Sequence, residues 1–252
     1  MAMVHPVKEI VFIIMNKNKT FIFDNLPHDL QTLSLDELDK VKLLDRQDTK
    51  FVFNQIQLPL ILEKIKPFYR ILEIKNSTVF KYDNTYFDTD GFLFYNQHHN
   101  EHRKRFKVRL RKYSINSKSF FEIKIKNNKN RTVKKRLLVD GMNKCLGEQE
   151  KNLVSEIIGL PPNQLSPMLN IQFTRITLAD LSFSERLTID TNLSVKNGTR
   201  SKIFDQLVIS EIKQKKYNTK SDFIQILRNL KIPEMRFSKY CIGMLHVNKE
   251  IK

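Results

Sequence analysis

The stretch Arg105-Phe106-Lys107-Val108-Arg109-Leu110-Arg111 decides how this chain is read. Successive side chains on a strand point to opposite faces, so residues at i, i+2 and i+4 share one. One face here carries Arg105, Lys107, Arg109 and Arg111; the other carries Phe106, Val108 and Leu110. The next apolar run repeats the scheme, with Glu122, Lys124 and Lys126 against Phe121, Ile123 and Ile125. Arg186, Thr188 and Asp190 oppose Leu187 and Ile189, while Glu211 and Lys213 oppose Ser210 and Ile212. Arg46, Asp48 and Lys50 also share a face.

For any one of these strands, a half-buried sheet with its polar face in water is a sufficient account. The set asks for more. Like charges directly across a sheet destabilise it, yet these strands place cation beside cation, a cost that an anionic ligand would offset. Arg is over-used on the charged faces, and its planar fork suits two-point contact with phosphate oxygens. The few acids among the cations, Glu122, Asp190 and Glu211, are candidates to hold a hard divalent ion such as Mg²⁺ or Mn²⁺ beside those phosphates. Closing the sheet with its charged face inward gives a tunnel lined for phosphate.

Composition agrees with this picture. The chain has 252 residues, 40% of them hydrophobic, and a formal net charge of +17, which points to a polyanionic partner. A chain of this length buries enough surface to need no disulfide or metal staple. Cys145 and Cys241 are far apart and outside ligand-like spacing, which suits a reducing, cytoplasmic setting. No segment reaches the ~18 consecutive apolar residues of a membrane helix. The run Ile10–Met15 is short and leads into Asn16-Lys17-Asn18-Lys19 without a small-residue cleavage site.

Residues 1–40 are expected to form a peripheral segment with a turn at Asp24–His28 and an acidic helical piece around Leu33–Leu43. Residues 41–252 are expected to form one domain. Strands are predicted around Arg46–Phe53, Thr78–Asp88, Phe92–Gln97, Arg105–Tyr113, Phe120–Lys126, Thr132–Val139, Asn170–Leu178, Arg186–Asp190 and Asp205–Lys213. Helices are predicted over Gln55–Ile65, Asn143–Ile158 and Ser221–Leu230, with a tail over Phe237–Gly243.

Competing chemistries leave no trace. There is no G-x-x-x-x-G-K-[ST] loop and no G-x-G-x-x-G for a nucleotide cradle. No G-x-S-x-G elbow is present. The cluster His98-His99-Asn100-Glu101-His102 matches no metal spacing and reads as a solvated hairpin turn, with Tyr95 and His98 shaping the lining. Nucleic-acid modules interleave stacking aromatics with cations on one face, whereas Phe106 and Phe121 lie opposite the cations, which counts against nucleic acid.

Ten short motifs then fall in order between Arg46 and Gly243. They are Arg46-x-Asp48-x-Lys50-Phe51, Tyr86-Phe87-Asp88-Thr89, Tyr95-x-x-His98, and Lys107-Val108-Arg109-Leu110-Arg111-x-Tyr113. Next come Glu122-Ile123-Lys124-x-Lys126, Lys134-Lys135-Arg136 and Phe173-Thr174-Arg175. Glu185-Arg186-Leu187-Thr188-Ile189-Asp190, Glu211-Ile212-Lys213 and Phe237-Ser238-Lys239-Tyr240-x-x-Gly243 complete the set. In this series the chain resembles the VTC domain, the polyphosphate-polymerase branch of the triphosphate tunnel (CYTH-like) superfamily.

The resemblance implies an α+β fold built on an eight-stranded antiparallel tunnel with flanking helices. It implies transfer of the γ-phosphate of ATP onto inorganic polyphosphate with Mn²⁺ or Mg²⁺. By position, Lys50, Arg109, Arg111, Lys134, Arg175, Arg186 and Lys239 would be catalytic. Lys124, Lys126, Arg136, Lys213 and Ser238 would hold phosphate, and Glu211 the metal. Where the hydrolytic branch has E-x-E-x-K, this chain has Arg46-x-Asp48-x-Lys50, one carboxylate fewer, as suits a site that holds phosphate rather than activating water. Eukaryotic members also carry an SPX domain and membrane helices, for which this chain shows no segment; regulation by inositol pyrophosphate and coupling to membrane transport are therefore not implied. Three alternatives stay open at this point. They are a tunnel triphosphatase acting on triphosphate or short polyphosphate, a non-catalytic polyphosphate-binding module, and, weakest, a nucleic-acid binder.

Overall fold

A computed structural model describes residues 30–41, 46–127, 132–143 and 145–251. The apolar run Ile10–Met15 and the turn Asp24–His28 lie outside the described residues. The architecture is α+β, mostly antiparallel sheet with a few helices. Eleven strands appear among the described residues rather than eight. The chain divides into two compact units. The first takes residues up to Phe80 with Phe173–Leu193 and Ile203–Phe237; the second takes Lys81–Gln172, Ser194–Lys202 and the C-terminal segment from Ser238.

In the first unit, β1 (Thr32–Leu33) pairs in parallel with β3 (Tyr69–Leu72), and β3 pairs antiparallel with the end of β8 (Ser166–Asp180). Strand β2 (Gln47–Asn54) pairs with β11 (Leu207–Gln214), which pairs in turn with β9 (Glu185–Asn197), both antiparallel. Between β1 and β2 lies α1 (Leu35–Leu38), one turn whose N-cap Ser34 forms a capping box with Glu37. Helix α2 (Leu58–Ile65) buries Leu58, Ile61, Leu62 and Ile65, the i, i+3, i+4, i+7 stripe that drives a helix onto a sheet. Helix α5 (Asp222–Asn229), capped by Ser221, adds Phe223, Ile224 and Leu227. These residues close one core over Phe51, Phe53, Leu187, Ile189, Val208 and Ile212.

The second unit is built on the antiparallel order β4 (Phe80–Asp88), β5 (Arg105–Tyr113), β6 (Ser119–Lys126) and β7 (Thr132–Val139). Phe87, Phe106, Val108, Leu110, Phe121 and Ile123 turn to one side and pack with Phe94 and Val154. Val154 comes from α4 (Glu148–Ile158), which is stopped by Gly159 in the left-handed region. The hairpin joining β9 to β10 (Arg200–Phe204) turns at Gly198.

Two expectations need correction. Phe92–Gln97 is not a strand but the body of helix α3 (Leu93–His99). The aromatic run has β-forming character, but the Asp88 carboxylate takes the backbone N–H groups of Thr89, Phe94 and Tyr95, and Thr89 Oγ1 takes that of Leu93. That capping overrides local preference. The tail after Phe237 is likewise helical, α6 (Lys239–Val247), begun by Ser238, whose Oγ accepts from the Cys241 N–H. No described helix is long and apolar enough to cross a membrane.

Helix α6 sits tightly on the second unit at Gly243, where an added Cβ would lie 2.6 Å from Leu169 Cδ2 and 3.1 Å from Val195 Cγ1. Gly243→Ala is therefore expected to overpack this contact and lower stability by about 1–3 kcal/mol. Urea unfolding would read this as a lower midpoint at unchanged slope; an unchanged midpoint would mean the contact relaxes freely.

Candidate functional site

The register of the second unit places the charged side chains in rows across its strands. Lys124 on β6 is the Cα partner of both Lys107 on β5 and Lys134 on β7, so three lysines share one cross-strand row. The neighbouring row is Arg109, Glu122 and Arg136, and beyond the lysines Arg105 faces Lys126. Strand alternation thus gives these rows of β5 to β7 a strongly cationic face, backed by the aromatic and aliphatic core.

Glu122 is the exception. Its side chain is only 2% exposed, and it accepts from Arg109 Nε at 2.8 Å and pairs with the Arg109 guanidinium at 2.6 Å. Its other oxygen pairs with Lys134. Burial opposes ionisation, but Arg109, Arg111 and Lys134 outweigh it and hold the carboxyl at about 2. Lys134 pays part of the same desolvation: burial draws its ammonium below the ordinary lysine value, with Glu122 pulling against that. Arg109 also donates to the Tyr86 hydroxyl at 3.1 Å. Burial would raise this phenol, but Arg109, Lys107 and Arg111 bring it down to about 8.

Arg111 is buried, donating through Nε to Asn84 Oδ1 at 2.7 Å, and Asn84 donates on to the Ile171 carbonyl at 3.1 Å. Arg136 is exposed and lies over the Phe120 ring at 4.9 Å. Lys124 is exposed, whereas Lys126 is half-buried. Lys107 Nζ donates to Ser238 Oγ at 3.1 Å, so the residue that caps α6 also meets the lysine row. Lys239 is the first residue of that helix. Tyr240 stacks on Tyr86 at 5.1 Å and donates to Asp88 at 2.6 Å, fixing the base of the site.

The His98 cluster proves not to be a hairpin turn, since His98 and His99 occupy the last turn of α3. Burial, with Lys107 and Arg105 nearby, pushes His98 down to about 2, so its ring stays neutral. His99 stacks on Tyr95 at 5.6 Å. Among the described residues no group of three or more His, Cys, Asp or Glu could hold a metal.

The first unit carries its own charged rows, Lys50–Glu211–Thr188 and Asp48–Lys213–Arg186. Arg175 grips Asp190 with both ends of its fork, at 2.5 and 2.7 Å. Lys50 Nζ donates to the Phe237 carbonyl at 3.0 Å, and Arg186 to the Leu38 carbonyl at 2.9 Å. Lys213 pairs with Glu211 at 3.2 Å, and its burial, helped by Arg175, outweighs Glu211 and Asp48 and lowers its ammonium.

The three acids proposed for metal therefore differ. Glu122 and Asp190 are buried and each grips cations through both oxygens. Glu211 has a 19% exposed side chain and pairs with Lys213 at the longer distance of 3.2 Å. A lone carboxylate fits a metal that arrives with its ligand, because Mg²⁺ is commonly held by one or two carboxylates plus substrate phosphates.

Sequence reasoning passed over several residues that line this site. Tyr86 and Asn84 share the polar face of β4, opposite Arg109 and Arg111. Tyr113 and Phe120 share the cationic face of β5 and β6, a fact already readable from their positions two residues from Arg111 and Glu122. The argument that aromatics avoid the cations therefore holds for Phe106 and Phe121 but not for these.

Antiparallel strands that present rows of Lys and Arg suit a polyanionic ligand. The VTC domain family matches residues 45–248, most of the chain, and the protein belongs to that family. It is thus a polyphosphate-related protein. No curated protein matches. Among solved structures the chain is similar to the putative adenylyl cyclase HpAC1 from Hippeastrum, described as having a dominant triphosphatase activity. The identity is 12%, with 78% of this chain and 95% of that chain covered at a TM-score of 0.47. It is also similar to the PH1819 protein of Pyrococcus horikoshii OT3, at 14% identity, covering 78% and 97% with a TM-score of 0.43. A putative adenylate cyclase from Vibrio parahaemolyticus shares 8%, covering 77% and 97% with a TM-score of 0.46.

Two titrations test this electrostatic arrangement. The folded-state value of Glu122 lies below its ordinary 4.5, so its contribution is full above pH 4.5 and is lost as pH falls towards 2. That contribution is on the order of 3 kcal/mol. Glu122→Gln is expected to remove it, so that unfolding midpoints of variant and wild type differ at pH 6 and converge near pH 2.5. Tyrosinate absorbance should show one phenol ionising near pH 8, absent in Tyr86→Phe. Saturating inorganic polyphosphate should move that ionisation upward, because the ligand cancels the cationic field.

Proposed function

We propose that the protein is a polyphosphate polymerase working in the cytoplasm. It uses Mn²⁺ or Mg²⁺ to transfer the γ-phosphate of ATP onto an inorganic polyphosphate chain. The observation that carries this reading is the Lys107–Lys124–Lys134 row. Three cations in direct cross-strand register are unfavourable by themselves and favourable once a chain of phosphates lies along them. Membership of the VTC domain family supports the same substrate class.

Phosphoryl transfer needs mainly positioning and charge stabilisation. A terminal oxygen of the chain attacks the γ-phosphorus, the bond from that phosphorus to the β,γ-bridging oxygen breaks, and ADP leaves with the electron pair. Lys124, Lys126, Lys134 and Arg136 lower the repulsion between polyanions, while Arg109 and Arg111 bring charge to phosphate oxygens beside Tyr86. In the first unit Lys50, Arg175, Arg186 and Lys213 supply further phosphate donors. Lys239 and Ser238 hold phosphate at the start of α6. Glu211 would hold the divalent ion, whose chemistry would be to neutralise charge on phosphate oxygens. Transfer rather than hydrolysis is supported by the state of the acids, since Glu122 and Asp190 are each committed to cations and unsuited to activating a water.

Incubation of the protein with ATP and Mn²⁺ or Mg²⁺ is expected to yield long polyphosphate on a stained gel. Glu211→Gln should abolish metal-dependent product, and Arg109→Ala should slow it by roughly 10²–10³-fold. Phosphate release without chain growth would replace the polymerase with a triphosphatase. Tight polyphosphate binding without turnover would leave a binding module.

A further inference from the structure

The polar face of the second unit is not uniform along its strands. At the lysine end it is mostly cationic, with Arg105, Lys107, Lys124, Lys126 and Lys134 joined by Thr132. At the other end it becomes aromatic: Tyr82 is the Cα partner of Tyr113, and Phe120 is the partner of Arg111 on one side and Leu138 on the other. Tyr82 and Tyr113 meet edge-on at 5.2 Å, and Tyr113 and Phe120 at 5.8 Å. All three rings are half-buried, and Leu138 is 62% exposed. Arg111 lies 5.2 Å from the Tyr82 ring and 5.9 Å from that of Tyr113, while Arg136 covers Phe120.

We infer that this aromatic end is a nucleobase subsite, seating the planar base of a nucleoside triphosphate whose phosphates lie on the adjoining cationic rows. The inference rests on the polymerase reading for its donor and assigns where that donor's base goes. A linear run of phosphate alone has no use for rings. Rings with guanidinium groups laid over them form the surface on which a base stacks, through both π-faces and Arg planes. The spacing suits one molecule spanning both chemistries. The Arg109–Glu122–Arg136 row lies one pleat repeat, about 7 Å, beyond the Phe120 row, and the lysine row about 7 Å further. A ribose crosses the first interval and a phosphate chain follows the second. Phe120 and Tyr113 are the residues expected to make ATP a better ligand than its phosphates alone.

The test compares ATP with inorganic triphosphate by calorimetric titration on wild type, Phe120→Leu and Tyr113→Leu. Leucine keeps apolar bulk and removes the ring face. ATP affinity is expected to fall by about five- to a hundred-fold in the variants, with inorganic triphosphate affinity unchanged. Equal losses for both ligands, or no loss for ATP, would overturn the subsite. Photolabelling of the unaltered protein with azido-ATP supplies a readout independent of variant folding. Label competed by ATP is expected on peptides bearing Tyr82, Tyr113 or Phe120, and label confined elsewhere would overturn the inference. A selective loss of ATP binding in a protein that makes no polymer would sink the polymerase and leave the subsite standing.

Discussion

Glu122 is a buried carboxylate in contact with two cations, and the organisation of the second unit depends on it. Arg109 and Lys134 approach it from the strands on either side, so one anion ties β5, β6 and β7 together on their polar face. Without it, the lysine and arginine rows would meet with nothing between them. Removing one partner of such a buried set leaves uncompensated charge, which costs far more than the set contributes when whole. One acid among so many bases secures the sheet. The first unit repeats the logic with Arg175 and Asp190.

Much of this is legible in the sequence itself. Alternation alone separated Arg105, Lys107, Arg109 and Arg111 from Phe106, Val108 and Leu110, and the structure puts the apolar set in the core. What alternation cannot give is register. That Lys107 faces Lys124 and Lys134, while Arg109 faces Glu122 and Arg136, follows from strand pairing over tens of residues. It also cannot foresee long-range capping. Leu93–His99 is helical because Asp88, at the end of the preceding strand, receives its N–H groups and is itself held by Tyr240, far along the chain. The helix Lys239–Val247 was hidden because Tyr240, Cys241 and Ile242 favour strands locally.

The aromatic positions show a different kind of oversight. Tyr113 and Phe120 obey the same period as the arginines, so their place on the cationic face was available from spacing alone. Phe106 and Phe121, by contrast, face the core. Tyr82 and Tyr86 needed the register of β4 against β5 to be placed at all. A face that combines rings at one end and ammonium groups at the other is chemically directional, whereas a uniformly basic face would not be.

The row Lys107–Lys124–Lys134 and the pair Arg105–Lys126 beside it carry a consequence for motion. To a ligand that is itself a repeat of identical units, successive rows rich in cations would offer more than one register of similar energy. A displacement by one unit exchanges one set of contacts for another of the same kind. A chain bound there would meet more resistance across the strands than along its own length, as a rail guides a carriage.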